Sequence, residues 1–427
     1  MKYGREKAGR GKPFFFVLIG LFLLLAPLSV SGGRSQGGDD ILKWARVATL
    51  AVIGLYGLQW FRVGNHSPVT LKLLVFAGFF SVSAAWSTSP VWGLAFKGMF
   101  FAAVVGGITL GNCLRSEADF RAFARSTTTT ATIALAGVVF IILTQENDIM
   151  LKGRLWVGQM NPNLLAQSST VFALLCMFHL LVPDRRGRKT QAGLCLIAML
   201  VITLLTGSRG ASLMLFSGII FLLPAFGRKR RQVLLLASCS GLVLLFLAAT
   251  WFESTDSGTL ASPNSHSVTL RIVDEFTKDT RGKIWGSVIS RAMDSPIIGT
   301  GWLNYNNRAA NVQSAYLQVF AESGFVGLGL LAIFLLAAFA LIYRNLRLGR
   351  KQTGLNRSLM LVFSATAAAM LLHGAFESSL VTGASPNAII LGFCVSQLDY
   401  LRGVTERGQR SNQATAIGFH QPGLAAS

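Results

Sequence analysis

Charge is scarce in this sequence, and acidic charge is scarcer still. Only 13% of the 427 residues are charged, with 18 Asp and Glu against 39 Lys and Arg. A soluble domain carries about 25% charged residues, so an ordinary soluble globular protein is excluded. Cysteine is also rare. The five present (Cys113, Cys176, Cys195, Cys239 and Cys394) all fall inside apolar runs, where thiols serve as small core residues, and neither disulfides nor a Cys-based metal site is expected. No GxxxxGK[ST] loop occurs, which excludes nucleotide hydrolysis by that device. No HExxH, Cys/His cluster or clean carboxylate cluster occurs either, so no metal and no cofactor are expected. Few acidic residues lie in the middle of apolar runs, which argues against a proton-driven transporter. Tandem repeats, heptads and a second soluble domain are all missing.

What the chain has is apolar length. The hydrophobic fraction is 52% and mean hydropathy is +0.52, which predicts an all-α, polytopic membrane protein. About twelve transmembrane helices are expected, near 14–30, 45–61, 69–86, 91–113, 127–144, 163–183, 191–206, 211–226, 232–252, 316–343, 358–376 and 386–401. The first follows a basic start and has the look of a signal peptide, but no small-residue cleavage site follows, and it is read as a span. The net charge of +21 does not point to nucleic acid. With the N-terminus in the cytoplasm, 26 Lys and Arg fall in inside segments and 12 outside, while Lys97 falls within a span. That bias places both termini in the cytoplasm. The expected organisation is nine spans over 1–252, a large periplasmic loop with short helices at 253–315, three spans over 316–404, and a disordered cytoplasmic tail at 405–427.

The outside arginines carry the chemistry, because translocated loops have no orientation reason to hold them. Arg154 lies in KGRLWVGQMNPN, where Asn161, Pro162 and Asn163 suit a turn and helix cap. Arg209 lies in TGSRGAS, a short hinge in which Gly207 and Gly210 let the backbone turn. Arg281 lies in DTRGKIWGSVISRAMDSP, which reads as a short helix packed by Trp285 and Ile289. Guanidinium groups bind phosphate bidentately and stay charged, so three together suit a lipid-linked diphosphate; singly, each also reads as an interfacial arginine. Further along, Ser314, Gln318 and Glu322 share a helix face at spacing four. Glu322 reads either as a working carboxylate or as one salt-bridged to an arginine. His373 and Glu377, also four apart, read either as a base held by a carboxylate or as a buried polar pair.

Six motifs then occur in order: WSTSP (86–90), GRLWVGQMNPNLLA (153–166), TGSRGA (206–211), Arg281 with Trp285, SPIIGTGWLNY (295–305), and SAYLQVFAESGFVGL (314–328). With them the chain resembles the O-antigen ligase / Wzy-type polysaccharide polymerase family of bacterial inner-membrane proteins, over roughly residues 85–380. The resemblance implies a membrane glycosyltransferase, metal-independent, whose donor is a polyprenyl-diphosphate-linked oligosaccharide, and which either polymerises repeat units on a glycan acceptor or transfers finished glycan to lipid A core or, in some cases, protein. It also implies that Arg154, Arg209 and Arg281 contact the diphosphate. The candidate catalytic set is Arg209, Arg281, Glu322, His373 and Glu377; the candidate substrate-binding set is Arg154, Asn163, Trp285, Asn304, Gln313, Tyr316 and Gln318. One departure matters. Many relatives, ligases especially, carry a histidine just before the aromatic-Leu of the last motif, where this chain has Gln313-Ser314. The loss tilts the expectation from ligase toward polymerase of an O-antigen or exopolysaccharide. A flippase and a chain-length regulator are the partner proteins expected then, and a lipid-linked sugar flippase is the alternative from another class.

Overall fold

The computed structural model describes residues 12–28, 38–60, 67–144, 150–151, 154–155, 157, 162–222, 280–301, 312, 314–381 and 386–418. Four helices begin the fold: α1 (Lys12–Leu28), α2 (Gly38–Trp60), α3 (Pro68–Val82) and α4 (Pro90–Cys113). A 3-10 turn, Ser83–Trp86, links the last two. Then follow α5 (Glu117–Thr144), β1 (Met150–Leu151), β2 (Arg154–Leu155), α6 (Pro162–Leu181), α7 (Arg186–Leu205) and α8 (Arg209–Leu222). The last helices are α9 (Thr280–Ala292), α10 (Ala315–Lys351), α11 (Gly354–Gly374) and α12 (Pro386–Gly418), with a second 3-10 turn at Ser378–Leu380. The strands form one antiparallel two-residue hairpin, Met150 opposite Leu155.

Among the described residues, seven helices are long and apolar enough to cross a membrane, and Ala45–Leu58 and Gly210–Leu222 are shorter apolar helices. The expected span at 232–252 and most of the long loop lie outside the described residues. Apolar side chains occupy both faces of these helices. Phe123, Phe178, Phe363 and Phe393 pack in the interior, while Leu143 is 79% and Leu336 72% exposed. A helix that is apolar all round is stable against lipid rather than water.

Proline starts the elements and small residues join them. Pro68, Pro90, Pro162 and Pro386 each occupy the first helical position, where a missing N–H costs nothing. α4 crosses α12 at Gly107 and Gly111. A Cβ at Gly107 would collide with the Ile389 carbonyl, and one at Gly111 would lie 2.6 Å from Ser396 Oγ. Close approach of this small-xxx-small kind replaces the hydrophobic drive that lipid removes. Phe363 stacks edge-on against Phe393 at 5.1 Å and lies 5.6 Å from Phe178, tying α11 to α12 and α6.

Two expectations differ from what is seen. α12 runs on to Gly418, past Thr405, where an unstructured tail is expected. Arg402 pairs with Asp399 at 3.3 Å and lies 3.8 Å from Glu406, spacings that support a helix beyond its apolar part. In the arginine hinge, Gly207 makes the turn with φ 62, but Gly210 lies inside α8 and serves close packing instead.

Candidate active site

The site is built on a broken helix. Gly324 in α10 has φ 63 and ψ −162, a conformation essentially confined to glycine. It separates a short half-helix, Ala315–Ser323, from the long apolar stretch that follows. The segment Ser295–Gly301 fills the break. Thr300 N–H donates to Ala321 O at 3.0 Å and Gly301 N–H to Glu322 O at 3.0 Å, while Phe325 N–H reaches Pro296 O at 2.8 Å. Backbone groups freed by the break are thus satisfied, as an apolar surrounding requires. Gly299 and Gly301 also have positive φ, and a Cβ at Gly301 would meet Ser87 N at 2.6 Å. The SPIIGTG and AESG motifs are therefore two halves of one junction.

Glu322 sits beneath this junction, fully buried, and its partner is a lysine. Lys97 Nζ stands 3.0 Å from Glu322 Oε2, a buried ion pair. Lys97 also donates to Ser83 Oγ at 2.7 Å and lies 4.1 Å from the centre of the Phe80 ring. Gln318 donates to Glu322 Oε1 at 3.0 Å, as the shared face predicts. Ser314 caps the half-helix, its Oγ accepting from Leu317 N–H.

On another side of the half-helix, Tyr316 Oη donates to Leu371 O at 2.5 Å, near the end of α11. His373 follows in the last turn of α11 and is fully buried, and neither ring nitrogen has a hydrogen-bond partner among the described residues. The Glu377 carboxylate does not hold the imidazole; what joins them is the Glu377 N–H donating to His373 O at 3.0 Å. Both abut the start of α8. A Cβ at Gly210 would lie 2.8 Å from Glu377 Cγ and 3.4 Å from His373 Nε2. The neighbouring Ser208 Oγ is buried without a partner among the described residues. Arg209 is the first residue of α8, and a helix N-terminus with open N–H groups attracts anions.

The other candidates are spread more widely. Asn163 is the second residue of α6, Arg154 lies in β2, and Arg281 is the second residue of α9. The guanidinium groups of Arg154, Arg209 and Arg281, like Asn304 and Gln313, lie outside the described residues. Trp285 on α9 donates to Val312 O at 3.2 Å, which ties that helix to the chain just before α10. Val288 and Ala292, with Ile284, form the packed face of α9, and Ile289 is exposed. Lys97 is absent from the sequence-based candidates. Its one visible signal is a lone cation inside an apolar run.

A multi-pass helical membrane protein with buried, partly unsatisfied polar groups gathered at one junction is the class this geometry defines. Residues 194–332, less than half of the chain, are similar to the family model described as O-antigen ligase. The match spans α8, α9, the junction and the half-helix, and it supports a ligase- or polymerase-type function. Among curated proteins no match to the chain is found.

Proposed function

We propose that the chain is a polysaccharide polymerase of the bacterial inner membrane, joining polyprenyl-diphosphate-linked repeat units on the periplasmic face. The observation that carries this reading is the convergence of the α8 N-terminus, His373, Glu377 and Tyr316 at one end of the bundle. In this reading both termini are cytoplasmic, about twelve spans cross the bilayer, and residues 253–315 roof the site from outside.

Arg209, Arg281 and Arg154 grip the diphosphate, helped by the α8 N-terminus. Asn163, Trp285, Asn304, Gln313, Tyr316 and Gln318 line the path of the glycan. An acceptor hydroxyl attacks the anomeric carbon, and the bond from that carbon to the diphosphate oxygen breaks. The polyprenyl diphosphate leaves with the electron pair, and guanidinium charge stabilises it without a metal. The hydroxyl proton passes to the His373/Glu377 pair, whose imidazole has neither nitrogen bonded among the described residues. Glu322, already facing Lys97, is the less suitable acceptor.

Arg209→Ala is the direct test. It should abolish long polymer on a glycan gel at normal protein level, a loss of at least about 10²-fold in transfer. Unchanged polymer length would refute the assignment. A ligase reading is favoured by the description of the family model. Deletion separates the two: loss of a polymerase leaves single repeats, whereas loss of a ligase leaves lipid-linked polymer made but unattached to lipid A core. A flippase reading predicts lipid-linked repeats stranded on the cytoplasmic face.

A further inference from the structure

Lys97 lies seven residues into α4, roughly 10 Å below its start at 1.5 Å per residue, and is 3% exposed. An ammonium at that depth is costly unless it is fully engaged. Here it faces three different elements: Glu322 of the half-helix, Ser83 of the 3-10 turn, and the Phe80 ring of α3. The ammonium thus meets a carboxylate, a hydroxyl and a ring face, the engagement that burial at this depth requires.

The half-helix needs such a tie. Because Gly324 breaks α10, helical continuity does not transmit the position of the long stretch to Tyr316 and Gln318. The hydrogen bonds from Thr300 and Gly301 hold only its last turn. The packing of Val288 and Ala292 of α9 against Phe320 and Ala321 holds one flank. The ion pair, extended by the hydrogen bond from Gln318 to Glu322, fixes its rotation against α3 and α4.

We infer that Lys97 is a positioning residue for glycan transfer: its pairing with Glu322 orients the half-helix that presents Tyr316 and Gln318 to the substrate. This rests on the transferase reading above. A lone buried charge destabilises by itself, so the decisive variant removes both charges, Lys97→Met with Glu322→Gln.

The full chain would be assayed in detergent with a polyprenyl-diphosphate-linked repeat unit isolated from a deletion strain. Turnover, thermal unfolding, and amide hydrogen exchange over residues 300–301 and 315–323 would be measured. The double variant should unfold near the wild-type temperature yet exchange faster over those residues. Its kcat should fall on the order of 10²-fold, as about 1 Å of misplacement does, while KM stays close to wild type because the diphosphate grip remains. Lys97→Arg, which keeps the charge, should recover most of both readouts. Wild-type kcat or wild-type exchange protection in the double variant overturns the inference. Arg209→Ala in the same assay separates the two claims. If it is inactive while the double variant is normal, only the positioning role fails; if it is fully active, the transferase reading itself fails.

Discussion

Among the described residues two histidines are completely buried, one at each end of the bundle, and their surroundings could hardly differ more. His179, in the last turn of α6, has both ring nitrogens engaged. Nε2 lies 2.9 Å from Asp184 Oδ2, and Nδ1 lies 2.6 Å from Thr128 Oγ1. A carboxylate only accepts, so Nε2 carries the proton and Nδ1 accepts from threonine. Asp184 is in turn clamped by Arg125, with Nε and Nη2 at 2.9 Å and 2.5 Å. His373 has neither ring nitrogen satisfied among the described residues. A saturated network specifies structure. A buried polar atom left open calls for an explanation, and a catalytic role is one that it offers. The opposed ends follow from the helices: α4 runs from the junction at Pro90 to Cys113, about 36 Å at 1.5 Å per residue, and α5, with Arg125 and Thr128, starts beyond that far end.

The sharpest way to break this contrast is to remove the open histidine. His373→Ala should lower glycan transfer by about 10²- to 10⁴-fold, the usual contribution of a general base. Its unfolding temperature should fall only by the cost of the cavity left, since among the described residues no side-chain hydrogen bond is lost. Single-turnover transfer measured across pH would check the first point, with the wild-type alkaline plateau absent in the variant, and a thermal melt would check the second. Full transfer by His373→Ala would mean that the proton goes elsewhere and that the two histidines differ only in packing.

A smaller effect is expected at the helix break. Gly324→Ala forces a side chain into a glycine conformation, costing about 1–3 kcal/mol, and its Cβ would collide with the Ile297 carbonyl. Both thermal stability and transfer should fall. Gly329→Ala, in the same helix with open space around it, should instead be neutral or gain about 0.5–1 kcal/mol. Equal behaviour of the two variants would remove the junction from the account of the site.

Much of this architecture is legible in residue order, and what is not has a physical reason. Apolar runs mark the helices because lipid demands apolar faces all round, and Ser314, Gln318 and Glu322 do share the buried face that their spacing predicts. The partner of Glu322 is not legible. Lys97 lies 225 positions earlier in the chain, and its pairing depends on how α3, α4 and α10 pack, which periodicity does not encode. The break at Gly324 escapes for a similar reason: a Ser-Gly inside an apolar run reads as ordinary small-residue packing until a second segment supplies the missing hydrogen bonds. Ile289 misleads because α9 offers apolar residues on more than one side, and only the position of Phe320 and Ala321 shows which side is buried.

At the saturated end the expected change is in stability, and transfer serves as the control. Hydrogen bonding from Arg125 holds the Asp184 carboxyl well below the usual carboxylate range. A carboxyl whose folded value is depressed adds stability that is fully present above its unfolded value, about 3.9. That stability is lost as pH falls from there toward the folded value. Arg125 is 42% exposed, and solvent screens its half of the pair. Asp184→Asn should therefore cost about 1–3 kcal/mol at neutral pH and leave glycan transfer per folded molecule unchanged. Below about pH 4 the wild-type protein should lose that advantage, and the unfolding temperatures of the two should converge. An acid limb identical in shape for both proteins, with a constant gap between them, would show that the Arg125–Asp184–His179 cluster stabilises by shape and packing and that its charge contributes nothing measurable.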